Sequence, residues 1–107
     1  MLIENIGDLK VLVQTARTGS LTGAARVLGI TPAAASATLK RLESQLGVRL
    51  FERSTRAMRL TQQGQTLLDY ASRAFELVEE GEAQATVDRV GLVGLIRLAA
   101  PSDLARS

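Results

Sequence analysis

The positions of three glycines constrain the first half of this chain most strongly. Gly19, Gly29 and Gly47 each follow a segment whose apolar residues recur at helical spacing. Glycine lacks a Cβ atom and readily adopts the left-handed backbone conformation that ends many helices. The sequence therefore predicts three short helices that end at these glycines.

Residues suited to helix capping precede the same segments. Ser20 precedes the second segment, and Thr31 followed by Pro32 precedes the third, where proline at the first helical position loses no hydrogen bond. Asn5 is the expected cap of the first helix, with Asp8 placed three residues later as in a capping box. The residues expected to face inward are Leu9, Leu12, Val13, Ala16, Leu21, Ala24, Ala25, Leu28, Ala35, Leu39, Leu42 and Leu46.

The second half of the chain changes character after Gly47. Residues 48–53 and 58–60 favour short extended segments around a tight turn, which fits a two-stranded wing. Thr61 is expected to cap a fourth, long helix that runs to about residue 86, and two later glycines mark a hinge before one strand-like segment. The predicted fold class is mostly α: a winged helix-turn-helix of three helices plus a two-stranded wing, followed by a long helix.

Composition excludes several classes of function. The chain contains no Cys and no His, which removes disulfide scaffolds, thiolate or imidazole metal sites and most nucleophilic catalysis. An enzyme using Ser36 with Lys40, or paired carboxylates, is a weak alternative, so we expect no catalytic residues, no metal and no cofactor. The longest apolar run, 91–96, ends at Arg97 and is too short to span a membrane, so a cytoplasmic protein is expected.

Charge is unevenly distributed along the chain. The net charge is only +2, but residues 31–60 contain six basic and two acidic residues, whereas residues 61–90 contain two basic and six acidic residues. A solvated face is one interpretation of such a basic cluster, and contact with nucleic acid is the other.

The outward face of the third predicted helix favours nucleic acid. It begins with small residues, Ala33, Ser36 and Ala37, and continues with Lys40 and Arg41. Small side chains permit close approach to the major groove, where methyl groups can meet thymine methyl groups and cations can reach phosphates. An alanine-rich helical hairpin in an ordinary bundle, or a module that binds a partner protein, remains an alternative.

The predicted wing carries three arginines. Arg53, Arg56 and Arg59 lie on or beside the hairpin, and a guanidinium group binds phosphate or enters a narrow minor groove. For Arg53, pairing with Glu52 or with a helix C-terminus is the alternative. The basic wing favours DNA over a protein partner.

The fourth predicted helix is apolar over half of its circumference. A single small domain cannot cover this arc, so part of it is expected to pack against a second copy of the chain. A helix lying wholly on its own domain is the alternative. The residues predicted to form the dimer contact are Leu67, Leu68, Ala71, Ala74, Phe75 and Val78.

Together these motifs resemble the N-terminal region of LysR-type transcriptional regulators. The segments that carry the resemblance are Gly19-Ser-Leu-Thr-Gly-Ala-Ala25, Leu28-Gly-Ile-Thr31, Ser36, Leu39-Lys-Arg-Leu-Glu43, Leu46-Gly-Val-Arg-Leu-Phe-Glu-Arg53 and Leu60-Thr-Gln-Gln-Gly64. The resemblance implies a winged helix-turn-helix domain over 4–61, with the helix-turn-helix motif at about 21–40 and the wing at about 48–60. It also implies a linker and dimerisation helix over 62–88, then a hinge and the first strand of a truncated effector-binding domain over 89–107.

The resemblance implies a function as well as a fold. It implies sequence-specific binding of a dimer to pseudo-palindromic operator DNA, a higher homo-oligomer for an intact regulator, and a small-molecule effector for the missing C-terminal domain only. Ser36 matches the family's DNA-contacting serine, Arg53 its phosphate-contacting wing arginine, and Arg56 a wing position that often enters the minor groove.

The recognition helix departs from the family pattern at three positions. Pro32, Ala33 and Ala37 replace the frequent Gln, Pro and Arg, so two common hydrogen-bonding side chains are missing. We therefore expect greater reliance on methyl contacts, hydroxyl groups and DNA shape. The residues predicted to contact DNA are Ser20, Thr22, Thr31, Pro32, Ala33, Ser36, Ala37, Lys40, Arg41, Arg53 and Arg56.

Overall fold

A computed structural model of the chain describes residues 1–53 and 58–87, with Arg53 described by its backbone only. Its elements are a short 3-10 helix (Ile6–Asp8), α1 (Leu9–Thr18), α2 (Leu21–Leu28), α3 (Pro32–Leu46), β1 (Phe51–Arg53), β2 (Met58–Leu60) and α4 (Gln62–Ala85). The predicted fold class, a mostly helical winged helix-turn-helix followed by a long helix, is confirmed. The hinge and strand expected over 89–107 lie outside the described residues.

Capping side chains hold the helix starts where the sequence predicts them. Ser20 Oγ accepts a hydrogen bond from the Gly23 N–H at 2.9 Å, and Thr31 Oγ1 accepts one from the Ala34 N–H at 3.0 Å. The three helix-ending glycines have φ between 71° and 82°, in the left-handed region. Local sequence therefore fixes the bounds of α2 and the start of α3.

The beginning of the first helix differs from the prediction. Asn5 caps the 3-10 helix by accepting from the Gly7 N–H at 2.9 Å, and α1 follows from Leu9. Asp8 makes no side-chain capping bond, so the expected capping box is wrong. Its carboxylate is instead buried and paired with Arg41 of α3.

The hydrophobic core lies among α1, α2, α3 and the base of the wing. α1 contacts α2, α3 and β2, and α2 contacts α3. The large side chains with no exposed surface are Leu12, Leu39, Leu42, Leu50 and Phe51. Burial of this kind stabilises a small domain by roughly 1.5–3 kcal/mol per large apolar side chain, and here it fixes α3 against the other two helices.

The wing and the first turn of α4 are joined at Leu50. The two strands pair antiparallel, with Phe51 opposite Leu60. The Leu50 carbonyl accepts from the Thr61 N–H at 2.9 Å, and a Cβ atom added at Gly64 would overlap this carbonyl. Glycine at this position is therefore required by close approach.

The chain divides into two compact units, residues 1–73 and 74–107, and the boundary falls within α4. The observed end of α4 at Ala85 agrees with the predicted length of this helix. Among residues 1–53 and 58–87, no helix combines the length and apolar character needed to cross a bilayer.

Candidate nucleic-acid interface

The first two turns of α3 present an exposed surface of small side chains. Thr31, Pro32, Ala33 and Ala37 are exposed, and Ser36 is half-buried at the edge. The opposite side of the helix is fully covered, because Ala35, Leu39 and Leu42 have no exposed surface. These predicted DNA-contacting residues are thus accessible to solvent at the start of α3, and Lys40 is exposed further towards the C-terminus.

Two helix N-termini carry hydroxyl groups in defined positions. Ser20 Oγ and Thr31 Oγ1 each accept a backbone N–H at the start of their helices. Each hydroxyl therefore keeps its own O–H to donate, and helix N-termini favour anions such as phosphate. Thr22, in the first turn of α2, is exposed as well.

Arg41 forms an ion pair with Asp8, a contact that was not predicted from the sequence. Its Nε donates to Asp8 Oδ2 at 3.0 Å and its Nη2 donates to Asp8 Oδ1 at 3.1 Å, with a further donation to Thr38 Oγ1 at 3.4 Å. The hydrogen bonds and the charge of Asp8 raise the pKa of Arg41 further above its ordinary range. This bidentate pair ties α3 to the 3-10 helix, so Arg41 has a positioning role, and a DNA contact from it stays a prediction.

Glu43 connects α3 to the wing. Its buried Oε2 accepts from the Leu50 N–H at 2.8 Å and from the Phe51 N–H at 3.4 Å, and Arg49 Nε lies 4.0 Å away. This structural role of Glu43 was not predicted from the sequence. A single acidic residue among leucines on the inner side of α3 was the available signal.

Of the wing arginines, only Arg59 has a described side chain. It is exposed on β2, opposite Glu52 of β1. Arg56 and the side chain of Arg53 lie outside the described part of the chain, so their predicted contacts stay predictions.

The predicted dimer residues on α4 differ in exposure. Ala71 is only 2% exposed, so its side chain is covered within a single chain, and its part in a dimer contact stays a prediction. Leu67, Leu68 and Phe75 are half-buried, whereas Ala74 and Val78 are exposed.

Two further large side chains on α4 are also exposed. Tyr70 is 60% exposed and Leu77 is 66% exposed. The Arg73 guanidinium lies 4.9 Å from the centre of the Tyr70 ring, which is a cation–π contact. Tyr70 and Leu77 were not among the predicted dimer residues, because helical periodicity does not show which part of an apolar arc is covered by the chain's own domain.

The family model for bacterial regulatory helix-turn-helix proteins of the lysR family matches residues 6–65, more than half of the chain. The chain belongs to the LysR family. A curated relative from Sinorhizobium fredii, the uncharacterized HTH-type transcriptional regulator y4mQ, is 42% identical over 91 residues. That alignment covers 85% of this chain and 30% of the relative, so the chain spans under a third of that protein's length.

Solved structures of LysR-type proteins with DNA are similar to this chain. The crystal structure of a CbnR DBD–DNA complex has a TM-score of 0.74 at 29% identity and covers 79% of this chain and 98% of its own. A BenM DBD/catB site 1 DNA complex has a TM-score of 0.74 at 27% identity, covering 77% of this chain and 91% of its own. The LysR fold predicted from the motifs is thus confirmed by both sequence and structure.

Proposed function

We propose that this chain is the DNA-binding part of a LysR-type transcriptional regulator and binds double-stranded DNA through the exposed face of α3. The observation that carries the proposal is the set of small exposed residues over the first two turns of α3, beside the capped N-termini of α2 and α3. Long charged side chains are usual on a solvated helix face. Their absence here leaves room for close approach to base edges.

Each group on this face has a defined task in the proposed complex. The methyl groups of Ala33 and Ala37 contact the major groove, and the hydroxyls of Thr31 and Ser36 donate to base or phosphate acceptors. Ser20 and Thr22 at the start of α2 contact phosphate, which fixes the register of α3 on the duplex. We assign base readout to α3 because the small exposed side chains of its first two turns permit close approach to base edges.

Charged residues supply affinity in the same proposal. Lys40, Arg53 and Arg56 contact phosphates or the minor groove, and release of counterions makes this part of the binding depend on salt. Arg41 also holds α3 in place through Asp8, and its predicted contact with DNA remains part of the proposal. Two hydrogen bonds to a carboxylate that is itself 8% exposed support this assignment.

The proposed regulator acts as a homodimer through α4. The first half of α4, 62–73, contains one acidic and one basic residue, whereas 74–85 contains four glutamates and no basic residue. Parallel pairing would bring eight negative charges together, so charge repulsion favours the antiparallel arrangement. Two winged domains held at a fixed separation suit a pseudo-palindromic operator.

The domain bounds, the cellular location and the higher oligomer in this proposal follow from membership of the family. A winged domain over 4–61, a linker helix over 62–88 and the start of an effector-binding domain over 89–107 form the proposed organisation. We place the protein in the cytoplasm, on the nucleoid, and expect the intact regulator to form a higher homo-oligomer. The family is a class of regulators rather than of enzymes.

A selection of bound sites from random duplex DNA tests this proposal. The chain should enrich a pseudo-palindromic sequence, and the variant A33E should lose that enrichment because it adds bulk and negative charge to the groove face. The matched control A83E adds the same side chain at an exposed position of α4 and should select the same sites as wild type. No enrichment by wild type, or equal enrichment by A33E, would refute the assignment of α3.

A further inference from the structure

One edge of the Arg41 guanidinium group is held by the protein, and the other edge is open. Its Nε and Nη2 atoms donate to the two carboxylate oxygens of Asp8, at 3.0 and 3.1 Å. A guanidinium group carries five N–H donors, and two of them belong to Nη1. Within residues 1–53 and 58–87, no group accepts a hydrogen bond from Nη1, and the side chain is 49% exposed. Two donors of a held cation are therefore available to a ligand outside the chain.

Asp8 gives Arg41 a fixed anchor. The Asp8 side chain is only 8% exposed and lies at the end of the 3-10 helix, directly before α1. Thr38 Oγ1, about one turn before Arg41 on α3, accepts a further hydrogen bond from Nη2 at 3.4 Å. An unpaired exposed arginine loses much rotamer freedom when it binds a phosphate. The contacts with Asp8 and Thr38 restrict those rotamers before any ligand binds.

Arg41 lies beside the face of α3 that we propose enters the major groove. At 100° per residue, it is within about 40° of Ala34 and Ala37 around the helix. It also lies about 6 Å beyond Ala37 along the helix axis. Both alanines are exposed. Phosphates border the major groove, so a helix that places its first two turns in the groove brings its next turn close to the backbone of the duplex.

Charge alone gives Asp8 the opposite role. A carboxylate close to DNA repels phosphate, so its removal should tighten binding. Glu4 is a second acid near Arg41, because the hydrogen bond and charge of Asp8, and then the charge of Glu4, raise the pKa of Arg41. Glu4 is exposed, and its side chain makes no hydrogen bond with Arg41 in the described part of the chain. The two acids therefore both place negative charge near Arg41, but only Asp8 holds it by hydrogen bonds.

We propose that Asp8 is a positioning residue for DNA binding, because it holds Arg41 through Nε and Nη2 while Nη1 donates to a backbone phosphate of the duplex. Asp8 itself touches no DNA in this arrangement. A phosphate carries no base identity, so the contact contributes affinity without sequence preference. This inference rests on the proposed function, and it adds a buried acid outside the recognition helix to the residues on which binding depends.

Duplex titrations of D8N and E4Q test the role of Asp8. Both variants remove one negative charge near Arg41, but only D8N removes the carboxylate that holds it. We expect D8N to weaken binding about threefold or more, by the same factor for the sequence that wild type selects and for a random duplex. E4Q should bind as tightly as wild type or more tightly. The double variant D8N/R41A should bind no more weakly than R41A, because Asp8 acts through Arg41.

Variants of Arg41 provide a second measurement that does not depend on the folding of D8N. R41A should flatten the slope of log K against log salt by about 0.9, as loss of one phosphate contact does. R41K keeps the charge, but a single ammonium group cannot hold Asp8 and a phosphate at two edges, so binding should weaken about threefold or more. R17K makes the same change at an exposed arginine of α1 and should bind within about twofold of wild type.

The possible results distinguish this inference from the proposed function. A D8N variant that binds as tightly as wild type, or that loses affinity only for the selected sequence, would overturn the positioning role. An R41K variant equal to wild type, or an unchanged salt slope in R41A, would overturn the phosphate contact and the inference with it. A wild-type chain that binds no duplex would refute the proposed function itself, whereas a wild-type chain that binds duplex, with D8N equal to E4Q, would refute only this inference.

Discussion

Substitution of Glu43 by alanine should loosen the wing from the recognition helix. The carboxylate accepts two backbone N–H groups, from Leu50 at 2.8 Å and from Phe51 at 3.4 Å, and both residues have no exposed surface. Water cannot easily replace the lost acceptor at such a position. The variant therefore leaves buried donors without the carboxylate that they bind in wild type.

The expected cost follows from these contacts. A hydrogen bond to a charged group contributes about 1.5–3 kcal/mol, and the longer bond to Phe51 contributes less. Burial of the Glu43 charge carries a desolvation cost that E43A no longer has, and this offsets part of the lost hydrogen bonding. We therefore expect the free energy of unfolding to fall by about 2 kcal/mol. For a domain of this size, that loss lowers the melting temperature by roughly 8–16 °C.

Urea unfolding and amide hydrogen exchange measure this effect. E43A should unfold at a lower urea concentration than wild type. In the same variant, the Leu50 amide should lose more protection from hydrogen exchange than the amides of α1. E43Q keeps one acceptor oxygen, and its loss of unfolding free energy should be less than half of the loss in E43A. E52A, on the exposed face of β1, is the control and should lose less than about 1 kcal/mol. An E43A variant as stable as E52A, with a protected Leu50 amide, would refute the reasoning.

Three further predictions concern the same domain. G64A should destabilise the domain by about 1–3 kcal/mol, because the new methyl group overlaps the Leu50 carbonyl. A G64A variant that unfolds at the same urea concentration as wild type would contradict this prediction. R53A should weaken binding to specific and random duplexes by similar factors, and it should flatten the slope of log K against log salt by about 0.9. An unchanged slope would refute the phosphate contact of Arg53. S36A should reduce operator affinity without lowering the melting temperature, and normal operator binding would exclude Ser36 as a contact.

Local signals made the helix bounds predictable from the sequence. A cap such as Ser20 or Thr31 acts on an N–H group three residues away, and a glycine such as Gly47 ends a helix through its own backbone conformation. The pattern of small and apolar residues then identified the outer and inner faces of α3. These inferences need no knowledge of distant contacts.

Contacts between distant residues were not predictable in the same way. Asp8 fits a capping box as well as an ion pair, and only the packing of α1 against α3 brings its carboxylate to Arg41, 33 positions away. Likewise, helical periodicity placed Ala71 within the apolar arc of α4, but it did not show that the chain's own domain covers this side chain. The role of Glu43 depends on where Leu50 crosses the end of α3, which no local pattern encodes.

The salt dependence of duplex binding tests the central claim most directly. Wild-type chain is titrated with a random-sequence DNA duplex over a range of salt concentrations, and log K is plotted against log salt. Phosphate contacts from the basic segment 31–60 predict tight binding at low salt and a steep negative slope. Absence of binding at low salt, or an affinity that does not change with salt, would contradict DNA binding and favour a protein partner for α3.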